Sequence, residues 1–220
     1  MTAGTASATS DHRANSLAEA FRQALRPGAA ALDGPQSAFI AQVLEDYVPK
    51  ELPELGVADL AANFADLWAF AALREPEEIL VRVVAAADQE GRPIARSRLE
   101  VVQDDSPFLV DSLMGELSSA RLPVRAMFHA VVETRRSRAG VRAADGEQRK
   151  ESVVQVILDP LDAEEASDLV ARVRATLFDV RAAVQDFGAM QALVDRAIDD
   201  LEQRRGDLPE GEVDEYQAFL

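Results

Sequence analysis

A change of hydrophobic period at Glu78 constrains this fold more than any other feature of the sequence. Over residues 16–26, 36–48 and 57–75, apolar side chains recur every three or four positions, which is the spacing of an amphipathic helix. Residues 79–84 are instead a run rich in β-branched side chains, which favours an extended strand. We therefore predict three short helices that pack together and precede a region rich in strands.

The order of elements after residue 78 predicts the topology of the sheet. Strand, strand, helix, strand, strand and helix follow one another at residues 79–86, 96–102, 106–121, 124–133, 152–158 and 162–178. The last five form the βαββα part of a ferredoxin-like βαββαβ unit, and the first strand can fill the edge that the missing final strand would occupy. We predict an α+β fold, in which N-terminal helices precede a permuted ferredoxin-like, antiparallel four-stranded sheet with two helices on one face.

The second face of this sheet also needs cover. Strands such as residues 153–158 carry apolar side chains on both faces, so neither face can be left in water. The N-terminal helices, the final helix or another chain could supply the cover, and these three alternatives stay open at this point.

A long helix is predicted to follow, as far as about residue 205. Its apolar positions alternate between spacings of four and three, which defines a heptad seam. The seam consists of Val180, Val184, Phe187, Gln191, Val194, Ile198 and Leu201. Because so few heptads are marginal as a two-chain coiled coil, we favour packing of the seam against the sheet of the same chain.

These patterns divide the chain into four segments. Residues 1–14, rich in small and polar side chains, are predicted to be a disordered tail. An N-terminal helical segment at 15–76 and an α+β domain with the long final helix at 77–206 follow. Residues 207–220 are interpreted as a linker that leads towards missing downstream domains, because a new apolar stretch begins at its end.

Charge and composition exclude several classes of function. The chain has 23 basic and 39 acidic residues, a net charge of −16, and a surface of that sign repels phosphate backbones, so nucleic-acid binding is not expected. No apolar run is long enough for a membrane span and the N-terminus does not resemble a secretory leader, so we expect a cytoplasmic protein with no membrane partner. The absence of cysteine excludes disulfides, thiolate nucleophiles and cysteine metal sites.

Residues 103–112 carry a specific resemblance. They read QDDSPFLVDS and resemble the N-D-D-M-P-F-L-V-D-S stretch of the large bacterial NAD-dependent glutamate dehydrogenases. Residues 128–131 resemble an L-H-P-V-like strand of that family, and residues 177–187 resemble the segment that follows its second helix. The chain departs from the family at Ala130, where proline is usual, and at Phe187, where tryptophan is usual.

The resemblance is clear over residues 78–205 and weaker from about residue 36. It implies an ACT-like domain at the start of a very long subunit, which continues into further ACT-like domains, a catalytic domain and a helical C-terminus. The implied partners are those downstream domains and other copies of the subunit in a homo-oligomer. The full-length enzyme would use NAD to deaminate glutamate oxidatively.

The chain itself is not expected to catalyse hydride transfer or to bind a cofactor. No G-x-G-x-x-G motif lies between a strand and a helix, and the only lysines, Lys50 and Lys150, do not form a pair that could hold and activate glutamate. A catalytic triad would need His129 to meet Ser106 or Ser112 by coincidence, and a strand or surface histidine is the favoured interpretation. Carboxylates of residues 104–111 alone do not predict a metal site.

Asp104, Asp105 and Ser106 form the candidate effector site. They stand at a strand-to-helix turn, where backbone N–H groups of the helix start could bind the carboxylate of an amino acid while an aspartate binds its ammonium group. The competing interpretation, which we favour at this stage, is that these residues only cap the helix.

The rest of the motif, Pro107, Phe108, Asp111 and Ser112, is interpreted as structural. Pro107 fits the first turn of a helix opened by Ser106, and Phe108 should belong to the core, where truncation to alanine would cost about 3 to 5 kcal/mol. Asp111 falls inside an apolar helix, so we predict a buried aspartate paired with Arg125 or His129.

Residues 135–150 are predicted to be a basic loop that is either a solvated hairpin tip or a contact for an acidic surface. Three functions remain in view. The first is a regulatory and assembly domain of a glutamate dehydrogenase; the second is a stand-alone amino-acid sensor; the third is a purely structural interaction domain.

Overall fold

A computed structural model of the chain describes Ala20, residues 34–45 and residues 55–203. The predicted tail at 1–14, most of the first predicted helix and the linker at 207–220 lie outside these residues. The described helices are α1 (Gly34–Glu45), α2 (Val57–Phe70), α3 (Leu109–Ser119) and α4 (Ala163–Gln203). The strands are β1 (Leu80–Ala87), β2 (Pro93–Asp104), β3 (Val124–Arg136) and β4 (Glu147–Leu158).

The four strands form one antiparallel sheet in the order β1-β2-β4-β3. Val83 pairs with Leu99 across β1 and β2, and Val101 pairs with Val154 across β2 and β4. The hairpin strand β1 therefore fills the edge beside β2, as the element order predicted. The permuted ferredoxin-like topology and the α+β class are confirmed.

Helices cover both faces of the sheet. On one face, α3 and the start of α4 pack with Leu113 and Val173 against alternate strand residues such as Leu99, Val154 and Val156. On the other face, α1 and α2 enclose an aromatic core, which consists of Phe39, Phe64, Trp68 and Phe128. The ring centroids of Phe64 and Phe128 lie 5.1 Å apart in an edge-to-face arrangement, which favours the pair beyond its buried area. Of the three alternatives for the second face, the N-terminal helices are the ones observed.

Two carboxamides cover exposed backbone at the edges of the sheet. Gln42 of α1 donates from Nε2 to the Val131 carbonyl and accepts the Val131 N–H at Oε1, both at 2.7 Å. Asn63 of α2 makes the same reciprocal pair with Ala87 of β1, at 2.9 and 3.2 Å. Each side chain replaces one residue of a neighbouring strand, so these backbone groups are satisfied and less open to pairing with other chains.

The last helix is continuous from Ala163 to Gln203, where the sequence pattern predicted two helices. By Cα proximity the chain divides into two compact units, Met1–Leu177 and Phe178–Leu220. In the first unit, Leu169, Val173 and Leu177 are buried. In the described part of the second unit no side chain is fully buried, and Phe187 of the heptad seam is 58% exposed. Packing of this seam against the sheet of the same chain stays a prediction.

The start of α3 differs from the prediction. The helix begins at Leu109, after Phe108 in the left-handed conformation with φ 64°, and its buried face is Leu109, Leu113 and Leu117. Ser106 does not open the helix, and its hydroxyl accepts a hydrogen bond from Gln103 Nε2 at 3.1 Å. The left-handed residue turns the Phe108 side chain out of the core and leaves it 66% exposed. The prediction of a core phenylalanine is wrong.

Asp111 also differs from its predicted environment. It is exposed in the first turn of α3, and the expected partner Arg125 binds Asp159 through two hydrogen bonds of 2.8 and 2.6 Å. The helix starts three residues later than predicted, so Asp111 belongs to its solvent face and to its positive N-terminal end. The prediction of a buried aspartate is wrong.

The β3–β4 hairpin closes on the segment between α2 and β1. The Arg74 N–H donates to the Gly140 carbonyl at 3.1 Å, and the Arg142 N–H donates to the Ala72 carbonyl at 3.2 Å. Pairing continues to Arg136 and Glu147, so the predicted loop 135–150 is partly strand. This approach needs glycine at position 140, where φ is 80° and an added Cβ would lie 2.2 Å from the Arg74 carbonyl oxygen.

Truncating Phe108 and Leu113 should have very different effects on stability. Because Phe108 is exposed, Phe108→Ala is expected to change the free energy of unfolding by less than about 1 kcal/mol. Leu113 is 0% exposed, so Leu113→Ala should cost about 2 to 5 kcal/mol. Urea denaturation of both variants measures the difference, and a large loss for Phe108→Ala would contradict the observed start of α3.

A pair of glycine substitutions tests the contact between hairpin and linker. Gly91 also has positive φ, 78°, but nothing lies within 4 Å of an added Cβ, so Gly91→Ala should cost about 1 kcal/mol of backbone strain. Gly140→Ala adds a backbone collision and should cost about 3 kcal/mol or more. Equal losses in thermal unfolding would show that the close approach to Arg74 contributes nothing.

Candidate functional site

The structure places the three predicted effector residues at the end of β2 and in the turn that follows it. Asp104 forms ion pairs with Arg74 and, at 3.8 Å, with Arg149. Asp105 is exposed, and its carboxylate accepts a hydrogen bond from the Ser152 hydroxyl at 2.7 Å. The Asp105 N–H donates to the Lys150 carbonyl at 2.9 Å, which holds the turn against β4.

His129 joins this turn through Ser152. Its Nε2 lies 3.2 Å from Ser152 Oγ, and that hydroxyl donates to Asp105, so the chain of contacts runs from histidine to serine to aspartate. A nucleophilic triad needs the histidine in the middle, where it can take the serine proton and be oriented by the aspartate. The arrangement is therefore a polar network and does not resemble a hydrolase site. It involves neither Ser106 nor Ser112, whose N–H bonds the Phe108 carbonyl.

The first turn of α3 has no side-chain cap. Phe108 occupies the N-cap position and makes no capping hydrogen bond, while Asp105 and Ser106 bond Ser152 and Gln103 instead. Asp105 and Ser106 therefore do not cap α3 through side-chain hydrogen bonds. Because the first N–H groups of a helix have no partner inside it, the helix start presents donors and a partial positive charge beside the Asp105 carboxylate.

A buried ionic group, the Glu151 cluster, lies next to this turn on the face covered by α2. It consists of Glu151, Arg74, Arg136 and Asp104. Arg136 binds both carboxylate oxygens of Glu151, at 2.6 Å from Nε and 2.9 Å from Nη2, and Arg74 Nε binds Oε1 at 2.9 Å. The Glu151 side chain is 0% exposed, so its charge exists in the folded state only because two guanidinium groups compensate it.

The pKa of Glu151 reflects the balance of these effects. Burial alone would raise its pKa, but the hydrogen bonds and charges of Arg136 and Arg74 outweigh burial and hold the pKa below the ordinary value of 4.5. The same arginines bind backbone carbonyls, Arg74 that of Glu78 at 2.9 Å and Arg136 that of Gly140 at 2.7 Å. The cluster therefore ties the linker, the hairpin and the end of β2 to β4.

A second buried carboxylate, Glu100, joins α2 to the sheet. It binds Arg82 Nε at 2.6 Å and Gln155 Nε2 at 2.9 Å, and Arg82 and Arg98 both reach Asp66 of α2 at 2.7 Å. Burial raises the pKa of Glu100 above 4.5 despite these arginines. The face under α2 thus combines an aromatic core with two ionic groups.

Sequence reasoning missed these buried charges. Arg98 and Glu100 alternate with Leu99 and Val101, which is the pattern of a strand with one solvated face. One signal in the sequence could have revealed them: the apolar pattern of β4 on both faces required cover for the same face that carries Glu100 and Glu151. Arginine, with its planar fork of donors, is the residue that suits such buried pairs.

The basic residues of the hairpin have separate environments. Arg136 is buried in the Glu151 cluster, Arg142 stacks on Trp68 with its Cζ 3.8 Å from the ring centroid, and Arg138 is exposed near the tip. Whether this hairpin contacts an acidic surface stays a prediction.

Within the described residues, no helix is long and apolar enough to cross a membrane. In the same residues no group of three or more histidine, aspartate or glutamate side chains has the geometry to hold a metal ion.

Neutralising Glu151 should lower stability in a pH-dependent way. Because the folded-state pKa is below 4.5, ionised Glu151 stabilises the fold above that pH, and this contribution is lost as pH falls and the unfolded chain takes up the proton first. Glu151→Gln should cost about 3 kcal/mol at pH 7, and less below pH 4.5. Chemical denaturation across pH measures this, with Asp111→Asn as an exposed control; a pH-independent difference would contradict it.

Comparison with known proteins identifies the family. Residues 39–173 match the family described as glutamate dehydrogenase, ACT1 domain. The chain is also 32% identical, over 176 residues, to the NAD-specific glutamate dehydrogenase of Halomonas elongata. That alignment covers 76% of this chain and 11% of the relative, so the chain spans about a tenth of the relative's length. The resemblance of residues 103–112 is thereby confirmed, and the chain belongs to the glutamate dehydrogenase ACT1 domain family.

Proposed function

We propose that this chain is a non-catalytic regulatory and assembly domain of a cytoplasmic NAD-dependent glutamate dehydrogenase. The full-length enzyme would convert L-glutamate, NAD⁺ and water into 2-oxoglutarate, ammonium, NADH and a proton. The observation that carries the proposal is the match of residues 39–173, which include all four strands and α2 and α3, to the ACT1 domain.

The length of the relative supports a catalytic region outside this domain. Nearly nine tenths of the Halomonas elongata protein lie outside the aligned region, and NAD binding and hydride transfer are assigned to that remainder. The network of His129, Ser152 and Asp105 lacks the order of a catalytic triad, which agrees with a domain that does no chemistry.

A direct assay tests the absence of catalysis. The isolated chain mixed with glutamate and NAD⁺ is expected to produce no NADH absorbance, whereas the full-length enzyme should produce it. Glutamate-dependent NADH formation by the chain alone would refute the non-catalytic role.

A deletion tests the regulatory and assembly role. Removal of residues 1–203 from the full-length enzyme should change the number of subunits in its oligomer or its response to amino acids. If neither changes, the regulatory and assembly role is wrong.

For regulation, we propose that Asp104, Asp105 and Ser106 form an amino-acid site. Asp105 is exposed and offers its carboxylate to an ammonium group, while the uncapped start of α3 offers N–H donors to a carboxylate. Phe108 is exposed between them and supplies an apolar surface for the side chain of the effector. Ser106 and Asp104 would shape the turn through their bonds to Gln103 and Arg74.

Calorimetric titration with a panel of amino acids, glutamate included, tests this site. Saturable binding is expected, and Asp105→Ala should abolish it because the ammonium group loses its counter-charge. Asp111→Ala is the matched control, since it removes an exposed carboxylate from the first turn of the same helix. Binding that survives Asp105→Ala would place the effector elsewhere, and no binding at all would leave only the assembly role.

For assembly, the second compact unit supports contact with other parts of the enzyme. Its large apolar side chains Phe178, Phe187, Met190 and Leu193 are each more than half exposed. Exposed apolar side chains grouped along one segment are typical of protein interfaces. We propose that downstream domains of the same polypeptide or a second copy of the chain cover them in the oligomer.

A further inference from the structure

The outer edge of β3 presents an open backbone N–H and C=O pair at Glu133. Glu133 lies opposite Lys150 of β4, and the Lys150 carbonyl accepts the Asp105 N–H on the other side of that strand. Lys150 therefore directs its backbone groups away from β3. In an antiparallel ladder the opposite residue then directs its own groups outward, so the N–H and C=O of Glu133 point away from β4. Among residues 34–45 and 55–203, no backbone or side-chain group bonds this pair.

The outward backbone groups on either side of Glu133 are already bonded. Two residues earlier, the carboxamide of Gln42 closes both groups of Val131 at 2.7 Å. Two residues later, the Arg135 carbonyl accepts the Ala143 N–H at 2.9 Å. The open edge is therefore one residue long. A pairing strand needs a longer row of open groups, so this gap suits a single small polar group.

A cavity of about 590 Å³ opens on this gap, and its volume is in the range of small-molecule sites. Three successive residues, Glu133, Thr134 and Arg135, contribute to its wall. Because successive side chains of a strand point to opposite faces, a cavity that touches all three runs along the strand edge. Pro35 and Trp68 line the same cavity and give it an apolar side.

Several polar side chains of the wall already have partners within the chain. Gln148 Nε2 donates to the Glu133 carboxylate at 3.0 Å, and Arg142 Nη1 donates to the Trp68 carbonyl at 2.8 Å. Thr134 is buried at 2% exposure, whereas Glu133 is exposed. The outward backbone pair of Glu133 is therefore the polar feature that a ligand in this cavity can reach.

The fold itself shows which chemical group fits an outward backbone pair. The carboxamide of Gln42 satisfies both groups of Val131, and the carboxamide of Asn63 satisfies both groups of Ala87. A primary carboxamide succeeds because it carries one acceptor and one donor side by side. A carboxylate could accept the N–H but would leave the backbone carbonyl without a donor and place a negative charge beside it.

We propose that this cavity binds a small molecule that carries a primary carboxamide. Its carbonyl oxygen accepts the Glu133 N–H, its amino group donates to the Glu133 carbonyl, and the rest of the molecule lies against Trp68. This site goes beyond the proposed function. It uses none of the residues of the proposed effector turn, so either site can be right without the other.

Glutamine and glutamate are matched probes, because they differ only in the carboxamide that the proposal requires. Trp68 reports on the cavity, since it is the single tryptophan of the chain and lines the wall. The full chain is titrated with each while tryptophan emission is recorded. We expect saturable binding of glutamine and at least about tenfold weaker binding of glutamate, which lacks the amide donor. Benzamide and benzoate, compared by calorimetry, repeat the test without an amino-acid ammonium group.

Backbone and cavity variants test where the carboxamide binds. Glu133→Pro removes the outward N–H but no ladder hydrogen bond, a position that edge strands tolerate, and it should weaken glutamine binding about tenfold or more. Glu133→Ala keeps the backbone groups and should bind as the unchanged chain does. Ala144→Phe changes an exposed residue of the cavity wall, so it should fold even where proline does not, and its ring should block the cavity. Asp105→Ala, at the effector turn, should not affect glutamine binding in the cavity.

Four outcomes would overturn the proposal. The first is no saturable binding of glutamine or benzamide up to about 10 mM. The second is glutamate binding as tight as glutamine binding. The third is unchanged glutamine binding by Ala144→Phe or by a folded Glu133→Pro. The fourth is loss of the emission change in Asp105→Ala, which would place the glutamine at the turn.

Discussion

The buried carboxylate of Glu151 is the constraint on which the rest of this domain depends. It lies on the inner strand β4, beside the end of β2, and its side chain is 0% exposed. Arg136 comes from the neighbouring strand and Arg74 from the segment after α2, so both must reach it when the fold forms. Removal of water from these three charges costs several kcal/mol for each ion, and mutual pairing with further bonds to backbone carbonyls offsets that cost. The cluster therefore connects several segments of the fold, and removal of one partner would leave a buried charge uncompensated and destabilise the domain.

The proposed effector turn is built beside this cluster. Asp104 binds Arg74 and precedes the turn that presents Asp105. On the other side, Arg136 binds the Gly140 carbonyl and fixes the β3–β4 hairpin. A ligand at the turn would meet a segment that hydrogen bonds and ion pairs already hold in place, which lowers the entropy lost on binding.

Periodicity and element order were sufficient to predict the sheet, because β1, β2, α3, β3 and β4 each bury an apolar face that repeats with a regular period. The start of α3 was not predictable in the same way. Phe108 adopts a left-handed conformation, which is rare for a residue other than glycine, and its large apolar side chain indicated a core position. The ionic groups at Glu100 and Glu151 escaped prediction because burial of a charged strand residue depends on helices far away in sequence.

Native-state hydrogen exchange tests the central claim that the Glu151 cluster holds the linker and the turn as firmly as the core. The amides to follow are those of Arg74, which bonds the Gly140 carbonyl, and Asp105, which bonds the Lys150 carbonyl. In the unchanged chain we expect both amides to be as protected from exchange as the Val154 amide of β4. In Glu151→Gln we expect the protection of both amides to fall at least about tenfold below that of Val154, because the two segments then open locally. Low protection of both amides before the substitution, or an unaltered ratio to Val154 after it, would contradict the account.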